Sequence, residues 1–141
     1  MIPVAMPYPA AAIHAALKAA ADMADNVGAA MAISIMTAEG RQVGSLAMPG
    51  SFLASPDYAF QKAYTAACFG METDDFTELS SSLPDPVGSE LCAHPKITRL
   101  PGGLPILHEG ILIAAIGTSG GDGDQDRAAA RAGRDGFLSA L

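Results

Sequence analysis

Tryptophan is absent, aromatic residues make up 6% of the 141-residue chain, and there are only two cysteines. Cys68 and Cys92 match no Cys-x-x-Cys pattern, so two free thiols in a reducing compartment are the expected state, with a disulfide left open. Positive charge is scarce as well. Eight Lys and Arg against fifteen Asp and Glu leave a net charge of −7, and no basic run exists, which excludes a nucleic-acid groove. Half the residues are hydrophobic, much of that alanine, yet no apolar run approaches the ~20 residues of a membrane span. A soluble cytoplasmic protein with no membrane partner is expected. The first charged side chain is Lys18, and prolines at 3, 7 and 9 precede an amphipathic pattern, so the N-terminal stretch is read as folded structure rather than a signal peptide. With no internal repeat, long linker or second block of composition, residues 1–141 are read as one domain.

What is present falls into alternating helical and strand patterns. From Ala10 to Val27, Ile13, Leu17, Ala20, Ala21, Ala24 and Val27 recur at helical spacing, and Gly28 stands where a C-terminal cap would. MAISIM at 31–36, TAEG and RQVGSLAM at 41–48 predict a hairpin. Ser55-Pro56-Asp57 predicts a helix start, with the serine as cap, and the residues to Gly70 are apolar on two faces, Ala59/Ala63/Ala66 and Phe60/Tyr64/Cys68, so a largely buried helix is expected. Thr73 opens a short helical turn, and residues 80–90 read as a loop. LPIL and ILIAAIG form a second hairpin around His108-Glu109-Gly110; the latter strand, apolar on both faces, must be covered by helices on both sides. Asp122 with Gln125 three residues on predicts a capping box for a last helix whose stripe is Ala130, Gly133, Phe137 and Leu141. The fold class is therefore α/β of the α+β kind, with a mainly antiparallel sheet of about five strands between helical layers.

The chain also places Gly-Gly pairs, Gly102-Gly103 and Gly120-Gly121, at the two ends of that second hairpin. In a tight hairpin both pairs reach the same end of the sheet, where a helix, a second subunit or a flat ligand could approach the backbone. Three passages then carry a resemblance: Ser55, Ala59, Lys62, Ala63, Thr65 and Ala66; Gly102, Gly103 and Pro105; and Gly117, Ser119, Gly120, Gly121, Gln125 and Asp126. In this order and at these separations the chain resembles the GlcG/HbpS heme-binding family, which includes the C-terminal domains of PduO-type proteins. The resemblance implies a profilin-like three-layer α/β/α fold, heme or a related tetrapyrrole as ligand, and a homo-oligomer, from a dimer to an octamer. Two departures stand out. Thr37-Ala38-Glu39-Gly40 replaces the family's Asp-x-Gly-Gly, and Ala47-Met48-Pro49 replaces an Arg-Met-Asp stretch, so a carboxylate and an arginine are missing from the expected rim of a polar pocket.

Each candidate residue has two readings. His14, at the edge of the first helix's apolar stripe, is a partly exposed structural histidine or a heme ligand. His94 lies in a loop, where sites concentrate, and His108 in a solvated turn beside Glu109. Lys62 is either an ammonium that snorkels or pairs with a carboxylate, or a pocket lysine that holds a ligand's carboxylate. Gly120-Gly121 leads into a helix N-terminus, but Asp122, Asp124 and Asp126 crowd that end and favour self-capping over anion binding. One expectation unites these elements: Lys62, the Gly102-Gly103-Leu104-Pro105 loop and the Gly120-Gly121 turn border a single pocket. The alternative function that the resemblance implies is a small cofactor-free enzyme acting on a hydroxy acid or aldehyde, for which Lys62, His94, Glu109 and Asp126 are the candidates for acid-base work.

Overall fold

The computed structural model describes residues 6–141, ordered as α1 (Ala10–Asn26), β1 (Ala32–Thr37), β2 (Gln42–Ala47), α2 (Ser55–Phe69), α3 (Thr73–Ser82), α4 (Val87–Ala93), β3 (Gly103–His108), β4 (Ile111–Ser119) and α5 (Gly123–Ser139). The strands form one antiparallel sheet in the order β2-β1-β4-β3. Four strands, not five, are therefore present among the described residues. The chain between α2 and β3, the one length left over for a fifth, is taken up mainly by α3 and α4. Residues 80–90 are accordingly not a loop throughout. Pro86 stands at the N-cap of α4, and the Glu90 N–H donates to its carbonyl, so a proline that signals a loop in the sequence starts a helix in the structure.

Position in the sheet follows from side-chain type. β4 is central and buried from Ile113 to Ser119, whereas β3 is an edge strand, where Pro105 costs no ladder bond on its outer side. Along β4 successive residues project to opposite faces. A Cβ at Gly133 of α5 would strike the Ile116 side chain, and one at Gly117 would strike the Ala59 carbonyl of α2. Helices thus lie against β4 from both directions, α5 on the Ile116 side and α2 on the Gly117 side.

Small residues set the helix packing. Ala12, Ala16, Ala20 and Ala24 form the buried ridge of α1, which keeps Ala20 and Ala24 of the expected stripe but leaves Ile13 and Leu17 only partly buried. The ridge turns this way because α5 brings Gly133 against Ala16 and Ala20 and Gly136 against the neighbouring Ala15 and Ala19, and small residues let two helix backbones approach that closely. Ala130, Gly133 and Phe137 are buried as expected, while Leu141 lies beyond α5 and is exposed. In α2 the Ala59/Ala63/Ala66 face is buried, but Phe60 and Tyr64 are only partly covered and Cys68 is exposed, so the second apolar face looks outward. Ser55 lies inside this helix, with Ala54 at the N-cap and no side-chain cap. The Asp122–Gln125 capping box is formed, and Gln125 also donates to the Val27 carbonyl, tying α5 to the end of α1. Among the described residues no helix is long and apolar enough to cross a membrane.

Candidate functional site

Gly103 of the first Gly-Gly pair is explained by α2. Gly103 and Gly117 are direct cross-strand partners, and a Cβ on either would run into the α2 backbone, at the Lys62 carbonyl and at Ala59 and Ala63 respectively. Two missing side chains make a flat spot on which the helix backbone rests, and this lowers Lys62 onto β4. Its Nζ, on a side chain only 2% exposed, donates to the Thr118 carbonyl at 2.7 Å and to Asp126 Oδ2 at 2.9 Å. Asp126 in turn accepts from the Gly121 N–H at 2.9 Å through Oδ1, and its own carbonyl accepts from the Thr118 hydroxyl at 2.6 Å. Gly102 closes the knot: its carbonyl accepts from the Thr118 N–H at 3.0 Å, and its φ of 108° suits glycine. Burial lowers the Lys62 pKa, while the facing Asp126 carboxylate opposes that shift.

Lys62, Asp126, Gly102, Gly103 and Gly121 therefore converge, with Pro105 two residues along β3. The lysine's charge is taken up internally by Asp126 and Thr118. What opens to solvent beside the knot is a recess of about 340 Å³ lined by Phe52, Ser55, Tyr58, Ser119, Gly120 and Gly121. Asp126 thus pins the Gly120-Gly121 turn from beneath.

The other candidates stand apart. Glu109, exposed at the β3–β4 turn with φ 52°, lies at the opposite end of the hairpin from Thr118, about 25 Å away at a strand's rise per residue. His108 is exposed beside it, its Nε2 3.9 Å from the Glu109 carboxylate. His14 is exposed on α1. His94 caps α4 and stacks on Tyr64, with ring centroids 6.0 Å apart and planes 13° from parallel; Tyr64 sits about 200° around α2 from Lys62, so the two candidates occupy opposite sides of that helix.

On the His94 side is a feature that sequence reading misses. An apolar groove of about 510 Å³ runs between α2 and α4, walled by Phe69, Val87, Leu91 and Ile97 with Tyr64, Cys68 and His94 at its edges. Phe60 continues the stack on Tyr64, and the Lys96 ammonium stands 5.2 Å from the Tyr64 ring. The signal in the sequence is the Phe60/Tyr64/Cys68 face itself, which has the pattern of core but forms one wall of a groove whose other wall is α4. His94 Nδ1 accepts from the Lys96 backbone N–H at 3.1 Å, which places the proton of the neutral ring on Nε2. A metal-ligating histidine usually has the reverse arrangement, its second nitrogen donating.

The family model described as "Haem degrading protein HbpS-like" matches residues 9–135. The chain belongs to the HbpS-like family. Among proteins of known structure, it is similar to a double mutant of Streptomyces reticuli HbpS, at 26% identity and a TM-score of 0.84, over 95% of this chain and 89% of that one. A PduOC:heme complex is similar at 27% identity and a TM-score of 0.81, over 89% and 91%. Klebsiella pneumoniae ORFY is similar at 26% identity and a TM-score of 0.85, over 99% and 96%. In sequence, a 15.0 kDa protein from the dhaT-dhaS intergenic region of Citrobacter freundii is 36% identical over 64% of this chain and 63% of its own length. The corrinoid adenosyltransferase PduO of the same organism is 31% identical over 81% of this chain, but only 34% of PduO is spanned.

Proposed function

We propose that this HbpS-like chain binds heme or a closely related tetrapyrrole, as a single domain of the profilin-like three-layer type. The observation that carries this reading is the likeness, over about nine-tenths of both chains, to a PduOC domain solved with heme. The residues present fit such a ligand best at the groove between α2 and α4. Phe69, Val87, Leu91 and Ile97 offer a dry wall for a macrocycle, and Lys96 is a cation within reach of a propionate. Cys68 and His94 are the donors available to iron; His94 must first give up its bond from Lys96, and Cys68 its contact with the Tyr64 hydroxyl. His14 remains a donor only from the exposed face of α1. Lys62 acts on a ligand at the Gly120-Gly121 recess indirectly, through Asp126. Bound heme would supply its own redox and ligand chemistry; the chain supplies the wall, the cation and the axial donor.

Cofactor-free catalysis is less well supported, because Lys62 with Asp126, His94, and Glu109 lie at three separate places. The activity of PduO as a whole stays with PduO, of which this chain spans a third. The free thiols of Cys68 and Cys92 support a reducing, cytoplasmic setting. Hemin titrated into the protein is expected to give a saturable, shifted Soret band with one heme per chain. Cys68→Ala should move that band more than His14→Ala does. A Soret spectrum indistinguishable from free hemin throughout the titration would refute the reading.

A further inference from the structure

At the far end of the sheet from the Lys62 knot, a cavity of about 500 Å³ opens between the segment leading into α1, the β1–β2 turn and the start of β4. Its walls include Val43, Ile111 and Ile113, and Ile111 is two-thirds exposed at its mouth. Tyr8 lines it too. This residue is 7% exposed, its ring held edge-on against Phe137 at 4.9 Å, and its hydroxyl is the one buried side-chain polar atom without a hydrogen-bond partner among the described residues. Buried hydroxyls are nearly always satisfied, and this orphan belongs to a residue of the cavity wall, within a small side-chain shift of an occupant. At the rim, Arg41 makes no ion pair among the described residues, and neither does Glu39. Both come from the TAEGR turn, where this chain departs from the family pattern.

We propose that this cavity binds an amphiphilic monocarboxylate, with its apolar body against Val43, Ile111 and Ile113 and its carboxylate on the Tyr8 hydroxyl and the Arg41 guanidinium. Burial and the nearby Glu39 charge raise the phenol pKa, which keeps Tyr8 protonated and a donor. Arg41 is the one cation among the lining residues and must also offset Glu39, so the wall can hold a single carboxylate rather than two. This site is independent of heme binding, and neither result bears on the other.

The test uses octanoate with the full chain, followed by calorimetry, with octanol and octylamine for comparison. Octanoate is expected to bind and the other two to bind at least about tenfold more weakly, as the loss of a charge-assisted hydrogen bond implies. Arg41→Gln should weaken octanoate by about tenfold or more, and Tyr8→Phe by about three- to tenfold. Tyr8→Phe carries a second signature: in the ligand-free protein it removes an unsatisfied hydroxyl and should raise the melting temperature. Equal affinity for octanoate and octanol would overturn the proposal. So would octanoate binding that neither substitution weakens, or no binding of octanoate at all.

Discussion

Lys62 Nζ and Asp126 Oδ2 meet at 2.9 Å across 64 residues of sequence, in a place where both side chains are almost fully buried. The pair joins α2 to the first turn of α5, and through Gly121 and Thr118 it fixes how both helices sit on the end of β4. Its net worth is not the Coulomb attraction alone, because both ions had to leave water. What it provides is registry: an ammonium and a carboxylate each with two partners, satisfied only in this arrangement.

Removing one partner is therefore expected to cost much more than removing both. Lys62→Met leaves the Asp126 carboxylate buried without its cation and should lower unfolding free energy by on the order of 3–5 kcal/mol. The double variant Lys62→Met/Asp126→Leu should recover much of that loss. Urea denaturation followed by far-UV circular dichroism measures both, and a single variant as stable as the parent would show the pair to be dispensable.

Glycine inside α5 gives a prediction against ordinary helix propensity. Replacing glycine by alanine gains about 1 kcal/mol in an exposed helix. At Gly133 the new Cβ meets the Ile116 side chain, the Ala16 carbonyl at 3.1 Å and the Ala20 Cβ at 3.1 Å. Overpacking of this kind costs about 1–3 kcal/mol, so Gly133→Ala should be less stable, and Gly136→Ala likewise, since its Cβ would sit 2.8 Å from that of Ala19. A rise in melting temperature for either would mean that α1 and α5 are further apart than the structure has them.

Asp74 and Arg127 yield a pH dependence. Arg127 donates to both carboxylate oxygens, at 2.7 and 3.0 Å, tying α5 to α3, and this holds the Asp74 pKa below its ordinary value of 3.8. A carboxyl whose pKa is depressed by folding adds stability above its unfolded pKa and loses it as pH falls through the folded value. Stability should thus decline from about pH 4 downward, and Asp74→Asn should flatten the curve in that window. The effect is modest because the pair is partly solvated. Thermal melts between about pH 5 and 2.5, spanning both values, check it; parallel curves for parent and variant would contradict it.

How far these features can be read from sequence depends on the range of the interaction. Local signals survive well. The Asp122–Gln125 box, Gly28 after α1 and both hairpins rest on contacts within a few residues. Lys62 is recognisable as a polar residue on an otherwise apolar helix, but its partner cannot be named, because Asp126 is equally an N-terminal helix acid that water could satisfy. The Gly-Gly pairs announce a close approach without saying of what. For Gly103 the answer, that it faces Gly117 under α2, depends on sheet register, and for Gly120 it is the Ala30 backbone. The groove is illegible for a different reason: Phe60 and Tyr64 have the composition of core, and α4, with Pro84, Pro86 and Gly88 in and around it, the composition of a loop.

The loop before α2 carries the last prediction. Phe52 and Tyr58 are exposed on the wall of the recess formed with Gly120 and Gly121, and Leu53, next to Phe52 in the chain, is 99% exposed. A single exposed leucine needs no explanation, but Leu53 together with two large side chains that line a concavity is costly to leave in water at about 25 cal/mol per Å². A second copy of the chain is the simplest cover, since a two-fold contact lets the knob of one protomer and the recess of its partner meet reciprocally. A homodimer or larger assembly is therefore expected by light scattering at micromolar concentration. Phe52→Ser/Leu53→Glu should convert it to monomer with an unchanged circular dichroism spectrum, because neither side chain is part of the core. An unaltered mass for that variant would place any self-association on another surface, and a monomeric parent would leave this apolar loop without the partner argued for it.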